Sequence, residues 1–189
     1  GLESAGRMVE ATQAYREGLR YHPNSIQLLG ALGTAYARRD SLDQAEGYYR
    51  RALSIYPDYY QMYNNLGGIY KKRGDLEGVA EVSLQVIERA PNYIDAYRNL
   101  GLAYLDAGRP DDAVQIYLRA IERAPEDPVL HCELGDAYYV KAAQDTSALP
   151  LAVKAYETFL KTWTGPREYT ATPLRRLSAL RSHLAGADR

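Results

Sequence analysis

His131-Cys132 is the pair in this chain whose residue types best suit nucleophilic or metal chemistry. Neighbours in sequence point to different sides of a helix, however, and no other His or Cys stands at ligand spacing. A lone cysteine also cannot close an internal disulfide. Gly67-Gly68 has the composition of a phosphate loop, but no strand pattern precedes it and no Gly-Lys-Ser/Thr follows. Carboxylates are plentiful, as in Asp111-Asp112 and Glu126-Asp127, yet nothing pairs them with a nucleophile. The sequence therefore predicts no enzyme, no catalytic residue, no metal site and no cofactor. What remains is recognition chemistry, carried by charged side chains and amides. Charges steer and orient a partner, and an Asn amide offers a peptide unit both a donor and an acceptor.

The elements that must position these residues follow from a repeat. Pro23, Pro57, Pro91 and Pro125 stand 34 residues apart, and the segments between them vary one pattern. One column holds Leu32, Leu66, Leu100 and Leu134, and the next holds Gly33, Gly67, Gly101 and Gly135. Tyr36, Tyr70, Tyr104 and Tyr138 follow three positions later, which is helical spacing. The second half of each unit carries Ala45, Tyr49 and Ala52, or Ala113, Tyr117 and Ala120, again on one helix face. Small Gly and Ala let two antiparallel helices approach, while Leu and Tyr fill the space around them. Each proline ends the second helix, and Asp40, Gly74 and Gly108 in the link tolerate a left-handed turn.

These columns resemble the tetratricopeptide repeat, Trp-x2-Leu-Gly-x2-Tyr, then Ala-x3-Phe, then Pro. Leu29, Tyr63, Tyr97 and His131 fill the Trp slot, and Tyr49, Ser83, Tyr117 and Tyr156 the Phe slot. The resemblance spans nearly the whole chain. It implies an all-α, right-handed superhelix (solenoid) of about ten helices in antiparallel pairs, without sheet.

In this register residues 1–25 hold only the second helix of a first repeat, with Gly6 in the interhelix link. Full repeats occupy 26–59, 60–93 and 94–127, and a fifth, 128–164, carries a five-residue insertion between Lys141 and Pro150. Pro150 fits only before or within the first turn of the following helix, which should start no earlier than about Ser147. A capping helix closes the chain within 167–189, running from Thr172 or Pro173 to about Ala185 with Leu174, Leu177, Leu180 and Leu184 along one side. In the third repeat Val79-x3-Ser83 replaces Ala-x3-aromatic, and Gly78 inside the helix costs about 1 kcal/mol against Ala. The helix from Leu76 to Arg89 is thus expected to be the loosest joint. The abrupt start leaves Met8, Val9, Tyr15 and Leu19 partly uncovered and reads as a fragment of a longer protein.

The resemblance also implies that first helices line a concave groove for a peptide or partner protein. Its inward slots hold Arg38, Asn64, Asn65, Lys71, Lys72, Arg98 and Asn99, then Leu102, Asp106, Glu133, Asp136 and Tyr139. Read together they form a basic, amide-rich stretch followed by an acidic one with an apolar seat; the alternative is ordinary solvated helix surface. Lys71, Lys72, Asn65, Arg98 and Asn99 are expected to bind in a salt-dependent way. The two-carboxylate clamp of the chaperone-tail binders does not fit, because setting its five positions on repeats two to four matches only Asn65. Asn65 and Asn99 supply two rungs of the asparagine ladder found in some members, broken by Ala31 and Glu133.

Of 18 tyrosines most fill the two aromatic columns, while Tyr59, Tyr60 and Tyr93 fall in the turns between repeats. A formal net charge of −1 argues against phosphate-driven nucleic-acid binding. No apolar run is long enough for direct membrane insertion. The leading expectation is a protein-interaction scaffold. Competing ones are an assembly module, as a possible subunit of a larger complex through residues 8–20, and a non-catalytic domain of a larger bacterial protein. The compartment, bacterial cytoplasm or periplasm, stays open.

Overall fold

The computed structural model describes residues 2–187, which contain ten α-helices, two short 3-10 turns and no strand. In chain order the helices are α1 (Leu2–Tyr21), α2 (Ile26–Arg38), α3 (Leu42–Ile55), α4 (Tyr60–Arg73), α5 (Leu76–Arg89), α6 (Ile94–Asp106), α7 (Pro110–Arg123), α8 (Pro128–Lys141), α9 (Leu149–Thr162) and α10 (Ala171–Ala187). They gather into two compact units, one ending at Arg89 and the other beginning at Ala90. In unit one α2 pairs with α3 and α4 with α5, while α1 packs on α2, α3 on α4, and α2 lies beside α4. In unit two α6 pairs with α7 and α8 with α9, α10 packs on α9, and α6, α8 and α10 lie beside one another in turn.

The links form as their residues require. Asp40, Gly74 and Gly108 adopt φ of 60°, 72° and 69°. This left-handed step lets Ser41, Asp75 and Arg109 donate their N–H groups back to the carbonyls of Tyr36, Tyr70 and Tyr104, at 3.0, 2.9 and 2.8 Å. One column of tyrosines thus closes three helices by the same bond, leaving fewer orphan carbonyls. Helix starts are capped by Ser25 on Leu28 N (3.4 Å) and Asp127 on Val129 N (2.9 Å). The second helices α1, α3, α5 and α7 each end two residues before a repeat proline.

Where a pair is complete, an aromatic ring rests directly on the glycine column. A Cβ added at Gly33 would stand 2.5 Å from the Tyr49 ring, at Gly101 2.4 Å from Tyr117, and at Gly135 2.7 Å from Tyr156. These contacts are dry, since Tyr49, Tyr117 and Tyr156 are at most 2% exposed. In the third repeat Ser83 offers no ring, and the nearest atom to a Cβ at Gly67 is Val82 Cγ2 at 3.7 Å. Successive pairs are joined by polar bonds at side-chain tips: Arg16 donates to the Tyr36 hydroxyl and Arg50 to that of Tyr70.

Two local expectations are corrected. Gly6 does not lie in a link, because α1 continues through it as one 20-residue helix. The strong helix formers around it, Glu3, Ala5, Arg7 and Met8, outweigh the propensity of a single glycine. Gly78 is not a defect in a helix interior either. It is the third residue of α5, its N–H bonds to Asp75 Oδ1 at 2.8 Å, and a Cβ there would stand 2.6 Å from Asp75 Oδ2 and 2.9 Å from the Tyr70 ring. The first turn of α5 therefore needs glycine where the Asp75 cap and Tyr70 close over it. The division between the units falls directly after α5.

In the insertion, a 3-10 turn over Thr146–Ala148 is capped by Asp145 on Ser147 N at 3.0 Å, and α9 starts at Leu149 with Pro150 as its second residue. That position has no intrahelical N–H bond to lose. The closing helix α10 runs somewhat longer than expected, and Leu177 and Leu180 are buried whereas Leu174 is not.

Candidate partner-binding surface

In unit one the candidate residues come from two neighbouring helices. Arg38 is the last residue of α2, and Lys71 and Lys72 lie in the last turn of α4, where cations also complement the helix dipole. All three are exposed, whereas Asn64 and Asn65, earlier on α4, are half-buried. Lys72 Nζ stands 3.5 Å from Asp40, a pair too solvated to hold much energy. Arg38 also borders a groove of about 520 Å³ between α1 and α2, whose wall includes Met8, Ala11, Tyr15, Ala31 and Thr34.

Behind this face a charged knot ties α3 to α4. The Glu46 carboxylate accepts from the Tyr70 hydroxyl at 3.0 Å, and Arg50 and Arg73 close on it. Burial alone would raise the Glu46 carboxyl, but the hydrogen bonds from Arg73 and Tyr70 and the charge of Arg50 outweigh it, so the group stays below its ordinary value of 4.5. The folded chain therefore binds this proton more weakly than the unfolded one. The stability Glu46 contributes is complete above its unfolded value and is lost as pH falls through the lower folded value. Melting curves from about pH 6 down to about pH 3 should show Glu46→Gln with a flatter acid limb than wild type. Parallel limbs would dismiss the knot as a stabilising element.

In unit two the acids expected to face a partner are engaged within the chain. Arg98 Nε donates to both carboxylate oxygens of Glu133, at 2.9 and 3.2 Å, with Asp95 3.9 Å away. Burial lifts the Glu133 carboxyl above its usual range, and Arg98 offsets part of that. Asp136 accepts from the Tyr156 hydroxyl at 2.7 Å and from Arg176 of α10. The Arg176 guanidinium also lies over the Tyr139 ring, 5.0 Å from its centroid. The expected run from basic to acidic is thus replaced here by ion pairs that close on themselves. Leu102, Tyr139 and Val140 are the exposed apolar side chains of this face; Asp106 is exposed and Asn99 half-buried. Burial, with Asp136 and Glu133 nearby, pushes the Cys132 thiol up to about 12, which keeps it protonated and a poor nucleophile. His131 holds its place in the column: its Nε2 lies 3.4 Å from the Pro125 carbonyl, as the Tyr97 hydroxyl lies 2.8 Å from that of Pro91.

Arg176 is the contributor the repeat register missed. It falls outside the 34-residue period, though the spacing of Leu174, Leu177, Ser178 and Arg181 echoes the Leu-Gly-x2-Tyr columns. Among the described residues no cluster of His, Cys, Asp and Glu is arranged to hold a metal, and no helix is long and apolar enough to cross a membrane.

Family models described as tetratricopeptide repeat match residues 2–60 and 58–126, about two thirds of the sequence between them. The chain belongs to the tetratricopeptide-repeat family. No curated protein matches it in sequence. Among solved structures, a MamA crystal structure superimposes with a TM-score of 0.68 at 24% identity, covering 90% of this chain and 88% of that one. PilF of Pseudomonas aeruginosa gives 0.66 at 18% identity, over 97% and 86% of the two chains. YrrB, a repeat protein with an unusual peptide-binding site, gives 0.60 at 17%, over 85% of each. At these identities the likeness establishes the fold. As a tetratricopeptide-repeat protein the chain is a protein-interaction scaffold, of a family that is in general non-catalytic.

Proposed function

We propose that the chain binds an extended, acidic segment of a partner protein along the face that α2 and α4 share in unit one. One observation carries the reading: Arg38, Lys71 and Lys72 are exposed at the C-terminal ends of two adjacent first helices, and none of them serves the core. Asn65 lies on α4 about two turns before them, a suitable donor and acceptor for a peptide backbone. YrrB, similar in fold, has a peptide-binding site, and the reading extends that kind of use to this chain.

An array of acidic and neutral peptides tests this. Acidic peptides should be retained, retention should fall as salt rises, and Lys71→Glu with Lys72→Glu should abolish it at unchanged helicity, because exposed charge contacts are screened. Equal retention by the double variant would overturn the assignment.

A further inference from the structure

Two neighbouring seams of unit one differ in what covers the tyrosine column. In the seam between α1 and α3 the ring of Tyr48 stacks on that of Tyr36, with centroids 5.5 Å apart and planes 9° from parallel. Arg51, three residues on, donates from Nη2 to the Pro23 carbonyl at 2.6 Å. Between α3 and α5 the 34-residue register puts Val82 in the place of Tyr48 and Gln85 in that of Arg51. Val82 has no ring to lay on Tyr70, and Gln85 turns to Glu81 instead, with Nε2 3.2 Å from Oε1.

The second seam holds a cleft of about 360 Å³. Tyr63, Leu66 and Tyr70 line it from α4, Val82 and Gln85 from α5, and Pro57 from the turn after α3. Tyr63, Leu66, Tyr70 and Val82 are all buried, so the base of the cleft is apolar and held by the core. Arg50, at its edge, fixes the Tyr70 hydroxyl at 2.8 Å. The filled seam thus displays the chemistry that the open one lacks: an aromatic ring beside the column tyrosine and a donor for the proline carbonyl.

We propose that this cleft receives an exposed tyrosine side chain of a partner protein, its ring against Tyr70 and Val82 and its hydroxyl toward the Pro57 carbonyl. A tyrosine supplies both missing groups in one side chain, and it buries a large area for the loss of few rotamers. The cleft shares no residue with the cationic face of α2 and α4.

Amide NMR spectra of the full chain, titrated with N-acetyl-L-tyrosinamide, test this. The probe should give saturable shifts at Arg50, Val82 and Gln85. N-acetyl-L-phenylalaninamide, which lacks the hydroxyl, should bind more weakly, and N-acetyl-L-alaninamide at least about tenfold more weakly, because the ring carries most of the contact. Val82→Tyr should fill the cleft from within, as Tyr48 fills its own seam, and abolish the shifts. Should that buried change disturb the fold, Ser54→Trp, exposed at the rim, covers the cleft from outside and should abolish them too. The Lys71→Glu, Lys72→Glu protein should bind the probe as wild type does, so that either site can fail without the other. Wild type without a saturable shift overturns the proposal, and so does a ranking in which the tyrosine probe is not first, or a Ser54→Trp protein that binds it like wild type.

Discussion

Alanine at Gly101 should lower stability by about 1–2 kcal/mol, and alanine at Gly67 should raise it by up to about 1 kcal/mol, although the two glycines occupy the same column. Alanine improves helix propensity by about 1 kcal/mol at either position. At Gly101 the new methyl would stand 2.4 Å from Tyr117 Cζ, and that ring is 1% exposed with no room to retreat. Overpacking of this kind costs about 1–3 kcal/mol, which outweighs the gain. At Gly67 the nearest atom is 3.7 Å away, an ordinary contact, so the propensity gain stands alone. Urea midpoints at unchanged slope measure both. Shifts of the same sign would show that the ring on the glycine does not set the packing.

The largest loss should come from Tyr117→Ala, about 3–5 kcal/mol, the usual cost of removing a fully buried ring. Tyr117 packs with Ala113, Val114, Leu134, Ala137 and Ala155, so its removal opens a cavity where α7 meets α8 as well as over Gly101. Burial holds its phenol far above the ordinary value, so it stays neutral and the loss should not depend on pH near neutrality. Trp163, the single tryptophan, is packed against Phe159 and Tyr169 in unit two and reports on that unit. Its fluorescence transition should move to much lower denaturant in the variant. An unmoved transition would mean that Tyr117 is not the keystone its burial implies.

The contrast between Gly101 and Gly67 also marks how far the sequence could be read. The period disclosed the pairs, the glycine column and the left-handed links, because each rests on steric rules that act within a few residues. Ser83 in an aromatic column announced, for the same reason, that no ring would rest on Gly67. Gly78 was misread because its fitness depends on Asp75 and Tyr70 closing over the first turn of α5, a three-body arrangement that no propensity encodes. The pairing of Arg98 with Glu133, and of Asp136 with Arg176, was hidden more deeply. Whether a charge on a first helix meets a partner or a neighbour depends on side-chain reach between helices far apart in sequence. The residue types were therefore legible, while the pairing of these charges was not.

The guanidinium-to-tyrosine bonds at Arg16–Tyr36 and Arg50–Tyr70 give unit one a mechanical character. Each lies at the end of a long side chain, acts over a short range and re-forms quickly, whereas the interlocked ring within the α2–α3 pair must clear its glycine to slide. Under a pull, the α1–α2 seam, held by such a bond, would yield while the α2–α3 pair, with its ring locked on Gly33, stays whole. Unit one would then give way in steps, its polar seam before its interlocked pair.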